Sequence, residues 1–139
     1  MALKGQYTTA EALKWDEMIN LVHRLYRDGD YRMSLLIATQ CMWGLRIGDA
    51  IKLTWNDILH KDDIVITEQK TGKRRAIRVN KDLKKHIEEC YKALGSPASN
   101  DPIFLSRLGT IYSREWVNMR LKEFKVKYRL SIKSYSSHS

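Results

Sequence analysis

Arg46, Lys70 and the consecutive Lys73, Arg74 and Arg75 are the residues of this chain whose types and spacing best suit an anion. Arg46 lies between an apolar run that ends at Gly44 and a new amphipathic pattern of Ile47, Ala50 and Ile51. The spacing predicts a bend at Gly44 and a helix whose N-terminus falls at Arg46. A helix start offers unpaired backbone N–H groups and a partial positive charge, which suit phosphate. A guanidinium adds a planar fork that can hold two phosphate oxygens together. The competing expectation for Arg46 is a surface pair with Asp49, three residues along the same helix. The two are compatible, because a carboxylate can also orient a guanidinium that works on a ligand. Lys70, Lys73, Arg74 and Arg75 fall within six positions that contain no acid. Most turn lysines are simply solvated, yet cationic density of this kind is costly unless a polyanion approaches.

The elements that must position these residues are legible as patterns. Trp15, Met18, Ile19, Val22, Leu25 and Tyr26 recur at helical spacing, and Asp28-Gly29-Asp30 stops that helix. Tyr31 to Trp43 is apolar on nearly every side, as expected of a central helix. The short helix after Arg46 is expected to end near Thr54. Ile58-Leu59-His60, Ile64-Val65-Ile66 and Ala76 to Val79, separated by Lys61-Asp62-Asp63 and Lys70 to Lys73, suggest a three-stranded antiparallel meander. Lys81 to Leu94 is helical, with Leu83, Ile87, Tyr91 and Leu94 on one face. After a loop from Gly95 to Pro102 comes the short buried piece Ile103-Phe104-Leu105. A last helix follows from Ser113, its cap, to about Tyr128. The expected class is α+β and mainly helical, a helical bundle with a small three-stranded sheet.

Composition narrows the function classes. The 139 residues suffice for one domain, 1–139, with a single core. Twenty-five Lys and Arg against sixteen Asp and Glu give a formal net charge of +9, which points to a polyanionic partner, nucleic acid first. No run approaches the roughly 18 consecutive apolar residues of a spanning helix, and the N-terminus has no signal-peptide pattern. Cys41 and Cys90 are far apart in helical patterns, which fits reduced thiols in a cytoplasmic protein. His23, His60, His86 and His138 are scattered, so no metal is implied. Neither a P-loop nor a dinucleotide fingerprint is present, so no nucleotide cofactor is implied.

The segment around Arg46 resembles the first catalytic-arginine box of the tyrosine recombinases, the phage integrase family. Gly44, Leu45, Arg46, Ile47, Asp49, Leu53, Trp55, Asp57 and Ile58 occupy that box's places. The stretch Ile64 to Val79 resembles the family's strand, lysine-bearing turn and strand. Tyr135-Ser136-Ser137-His138-Ser139 resembles the start of its His-x-x-Arg box. The resemblance spans about Thr9 to Ser139. The family's second arginine, its His or Trp position and its tyrosine nucleophile all follow that box, so the chain reads as the front of a catalytic domain, inactive alone. Tyr135 precedes the box and is expected to be a packing residue.

The resemblance implies DNA breakage and rejoining through a 3′-phosphotyrosine intermediate. Arg46 would stabilise charge on the phosphate, Lys70 would protonate the leaving 5′-oxygen, and His138 would hydrogen-bond the phosphate and help move the proton. Lys73 is the alternative to Lys70. Lys73, Arg74, Arg75, Ser113 and Arg114 are expected on double-stranded DNA. The chain is expected to be a monomer, and the complete protein a tetramer on DNA. The rival class is a non-enzymatic DNA-binding module, either of helix-turn-helix type built on the turn between Trp43 and Ile47 or a catalytically dead relic of the integrase fold. A phosphate-binding interaction domain without a DNA role is a third.

Overall fold

A computed structural model describes residues 9–130 in the order α1 (Thr9–Arg27), α2 (Tyr31–Trp43), α3 (Ile47–Ala50), α4 (Trp55–Ile58), β1 (Asp63–Thr67), β2 (Arg74–Arg78), α5 (Lys81–Ala93) and α6 (Arg114–Lys127). The class is α+β and mainly helical. The fold is built on α2, which is buried on most of its circumference and packs against α1, α3 and α5. Asp30 caps its start by accepting from the Met33 N–H. Gly44 ends it in the left-handed conformation at φ 65°, where a side chain would be strained. The Leu45 N–H then returns to the Gln40 carbonyl at 3.0 Å, and the buried Leu45 side chain locks the exit. This exit sets the direction in which Arg46 leaves the core.

Burying a helix all round forces its polar groups to find internal partners. Ser34 Oγ donates to the Val22 carbonyl at 2.7 Å and lies 3.0 Å from His86 Nε2. Since the one hydroxyl hydrogen goes to Val22, Nε2 must carry the imidazole proton and donate to Ser34. Burial lowers the His86 pKa from its ordinary 6.5, with neighbouring Glu89 opposing the shift. A base whose folded pKa is depressed stays neutral in the native state while the unfolded chain takes up a proton. Stability is therefore complete above pH 6.5 and is lost as pH falls below it. Thermal melts of the wild type should show Tm declining below pH 6.5, and His86→Gln should flatten that decline. An unchanged slope in the variant would assign the acid sensitivity to other groups.

The expected three-stranded meander is a two-stranded hairpin among the described residues. Ile58-Leu59-His60 is not a strand. Asp57 Oδ2 accepts from the Thr54 N–H at 2.8 Å, which winds Trp55–Ile58 into one helical turn that buries Trp55 and Ile58. His60, at φ 59°, then reverses the chain. In the hairpin, Ile64 pairs with Ile77 and Ile66 with Arg75. Ile64 and Ile66 are buried, so the period of two places Arg75 and Ile77 on the inward face and Arg74, Ala76 and Arg78 outward.

The final helix is held by charge-assisted contacts to the α1–α2 turn. Arg120 Nη2 donates to Asp30 Oδ2 and the Tyr128 hydroxyl to Asp28 Oδ2, both at 2.5 Å. Tyr112 stacks between Phe104 and Trp116 and fixes the approach to α6. These contacts fix where the α6 N-terminus, with Ser113 and Arg114, emerges. No helix of the described residues is long and apolar enough to cross a membrane.

Candidate functional site

Three separate segments meet in one surface cleft of about 740 Å3: residues 46–49 at the start of α3, residues 69–70 in the hairpin turn, and Arg114 at the start of α6. Among the described residues that line it, Arg46, Lys70 and Arg114 supply three cations and Asp49 the one carboxylate. That carboxylate is engaged: Asp49 Oδ1 accepts the Gln69 backbone N–H at 3.1 Å. The expected Arg46–Asp49 pair is absent among the described residues, and Asp49 instead ties the lysine-bearing turn to the arginine-bearing one. The exposed Arg46 guanidinium has no carboxylate partner among the described residues. A second cavity of about 500 Å3, between α1, α2 and α5, is lined largely by Met18, Val22, Tyr26, Leu83 and His86 and lacks this cationic convergence.

The helix mouth expected at Arg46 is present but short. Arg46 caps α3 in extended conformation, and Asp49 and Ala50 N–H both return to its carbonyl at 3.0 Å. One turn of four residues sums few peptide dipoles, so the local field comes chiefly from the guanidinium and ammonium groups. Gly48 lines the cleft and, having no side chain, leaves the backbone open there.

The turn that carries Lys70 is braced from within. Glu68 N–H donates to the Lys73 carbonyl at 2.8 Å, Gly72 N–H to the Glu68 carbonyl at 2.7 Å, and Thr71 Oγ1 to Glu68 Oε1 at 2.8 Å. Lys70 is thereby brought into the cleft with Arg46, while Lys73 lies outside it. Lys73 and Arg74 are exposed beside the turn. Arg75 is turned inward, with Nη2 donating to the Trp43 carbonyl at 2.9 Å and Nε 3.3 Å from Glu68 Oε2. His138 and Tyr135 lie outside the described residues.

Ser113 caps α6, its Oγ accepting the Trp116 N–H at 3.0 Å. Its oxygen is thus committed to the helix while its proton remains available to a phosphate. Ser113→Ala should cost about 1 kcal/mol of stability by loss of the cap. If Ser113 and Arg114 meet DNA as expected from the sequence, Ser113→Asp, which keeps the cap but sets a negative charge beside Arg114, should hold Tm and weaken duplex binding. Urea melts and fluorescence anisotropy measure the two effects separately, and equal duplex affinity for Ser113→Asp would remove this position from the interface.

Sequence patterns picked out Arg46, Lys70 and Arg114 but missed the Asp49–Gln69 tie between the Arg46 and Lys70 segments. A contact across 20 positions between a carboxylate and a backbone N–H leaves no periodic signal. Set beside known proteins, residues 11–139 match the model of the phage integrase family. No curated protein matches the chain. With a match over nearly its full length, this chain belongs to the phage integrase family, the tyrosine recombinases.

Proposed function

We propose that the protein acts as a site-specific DNA strand-transfer enzyme, and that the Arg46–Lys70–Arg114 cleft receives the scissile phosphate and its neighbours on double-stranded DNA. The single observation that carries this reading is the convergence of those three cations, from three distant parts of the chain, in one open cleft. Close cations repel one another, and a phosphodiester relieves that cost. In the reaction proposed, a tyrosine hydroxyl attacks phosphorus, the P–O5′ bond breaks, and a 3′-phosphotyrosine forms with the 5′-hydroxyl released. Arg46 bonds a non-bridging oxygen and offsets charge that grows in the pentacoordinate transition state. Lys70 gives its proton to the departing 5′-oxygen. His138 bonds the phosphate and takes part in moving the nucleophile's proton. Arg114, Lys73 and Arg74 hold flanking backbone, with Ser113 beside them.

On this reading the working enzyme is a cytoplasmic tetramer on DNA. The helix-turn-helix alternative needs a recognition helix after the Gly44 turn. Four-residue α3 is too short to fill a major groove.

Salt dependence tests the polyanion and the lysine together. Each phosphate contact contributes about −0.9 to the slope of log K against log salt. Lys70→Ala should make that slope shallower by about 0.9, and cleavage of a nicked duplex by the complete recombinase polypeptide should fall with it. A flat salt response in the wild type would exclude a nucleic-acid partner, and steep salt dependence without covalent protein–DNA product would leave a binding module.

A further inference from the structure

We propose that Arg75 is a positioning residue: its guanidinium bolts the Lys70 turn to the end of α2 and so fixes Lys70 beside Arg46, rather than contacting DNA. The proposal rests on the reading of the Arg46–Lys70 cleft as the phosphate site. It departs from the expectation, drawn from the run Lys73-Arg74-Arg75, that all three contact the backbone.

The geometry is specific. Trp43 is the last residue of α2, and its carbonyl is among those left without a partner inside the helix. Arg75 Nη2 reaches it at 2.9 Å from 32 positions away, and a cation at a helix C-terminus is also favoured by the helix dipole. The same guanidinium places Nε 3.3 Å from Glu68 Oε2, an ion pair without hydrogen-bond geometry, while Glu68 Oε1 accepts from Thr71 Oγ1 at 2.8 Å. Glu68 thus couples the guanidinium to the body of the turn. Across the turn, Asp49 holds the Gln69 N–H. The lysine turn is therefore tied on one side to the residue just before Gly44 and on the other to α3. Arg46 lies between those two anchor points in the sequence, so Arg46 and Lys70 are held by one frame.

The direction of the side chain agrees. Arg75 pairs with buried Ile66 on the inward face, whereas Arg74 and Arg78 face outward. The Nη2 bond to the Trp43 carbonyl and the ion pair with Glu68 hold the guanidinium toward the end of α2. Lysine lacks the fork to satisfy two acceptors in different directions.

The test is amide hydrogen exchange on the free chain, comparing wild type with Arg75→Met, Arg75→Lys and Glu68→Gln. Met keeps the aliphatic stem and removes the donors; Lys keeps the charge and loses the fork. Exchange at Gln69 and Gly72 should accelerate about tenfold in Arg75→Met and less in the other two, as expected for loss of a charge-assisted bond. Amides in the middle of α2 and α5 should be unchanged, which separates local release of the turn from general destabilisation. Unchanged exchange at Gln69 in all three variants overturns the proposal. If Arg75→Met unfolds the chain, the milder Arg75→Lys and Glu68→Gln decide on the same readout. A parallel duplex titration separates the two readings. No DNA binding by wild type sinks the proposed function and leaves the exchange result standing. A slope shallower by about 0.9 in Arg75→Met with unaltered exchange makes Arg75 a phosphate ligand.

Discussion

Arg46→Ala is expected to lower strand cleavage by the complete recombinase by about 10²- to 10³-fold, the usual effect of removing one donor that stabilises transition-state charge. Duplex binding should weaken much less, because Lys70 and Arg114 remain in the cleft. The asymmetry follows from what Arg46 touches. It is exposed and lacks a carboxylate partner among the described residues, so its removal leaves no buried charge behind and disturbs no packing. Arg46→Lys should recover binding more than cleavage, since an ammonium restores charge but not two-pronged geometry. Single-turnover cleavage and anisotropy on the same preparations measure both. Equal losses in the two assays would mean that Arg46 contributes only ground-state affinity.

The second large effect is structural. Trp55→Ala should destabilise the fold by about 3–5 kcal/mol, within reach of the whole stability of an ordinary domain. Trp55 is 1% exposed, stacks edge-on with Tyr91 at 5.1 Å and begins α4, a few residues beyond the Arg46 turn. Neighbouring Leu53 and Ile58 are buried with it. Trp55→Phe keeps most of the apolar area and should cost clearly less. Urea unfolding followed by far-ultraviolet circular dichroism reads the difference. An alanine variant within about 1 kcal/mol of wild type would show that the site collapses around the gap and that Trp55 is not a keystone of this core.

Much of this arrangement could be read from residue order because it is local. Asp30 and Gly44 bracket an apolar run, and α2 spans Tyr31–Trp43 between them. Ser113 likewise announces α6 by capping. What residue order did not reveal was a matter of register or long range. Ile58-Leu59-His60 looked strand-like from its apolar content, but the capping by Asp57 wound it into a turn. Lys73, Arg74 and Arg75 looked like one basic cluster. Strand pairing separates them, because alternate residues face opposite sides and the pairing of Ile66 with Arg75 decides which side is inward. The Asp49–Gln69 and Arg75–Trp43 contacts join segments 20 and 32 positions apart, and no pattern along the chain encodes such a pairing.

The cleft itself can be examined with the chain in hand. A nitrogen–proton correlation spectrum of the 139-residue protein, titrated with a short DNA duplex at low salt, reports which backbone and arginine side-chain groups meet the ligand. Shifts centred on Arg46, Gly48, Gln69, Lys70 and Arg114 are the predicted result, with the Arg75 guanidinium unaffected. Shifts confined to exposed Lys122 and Lys125 of α6, with Arg46 and Lys70 silent, would contradict a phosphate site in this cleft.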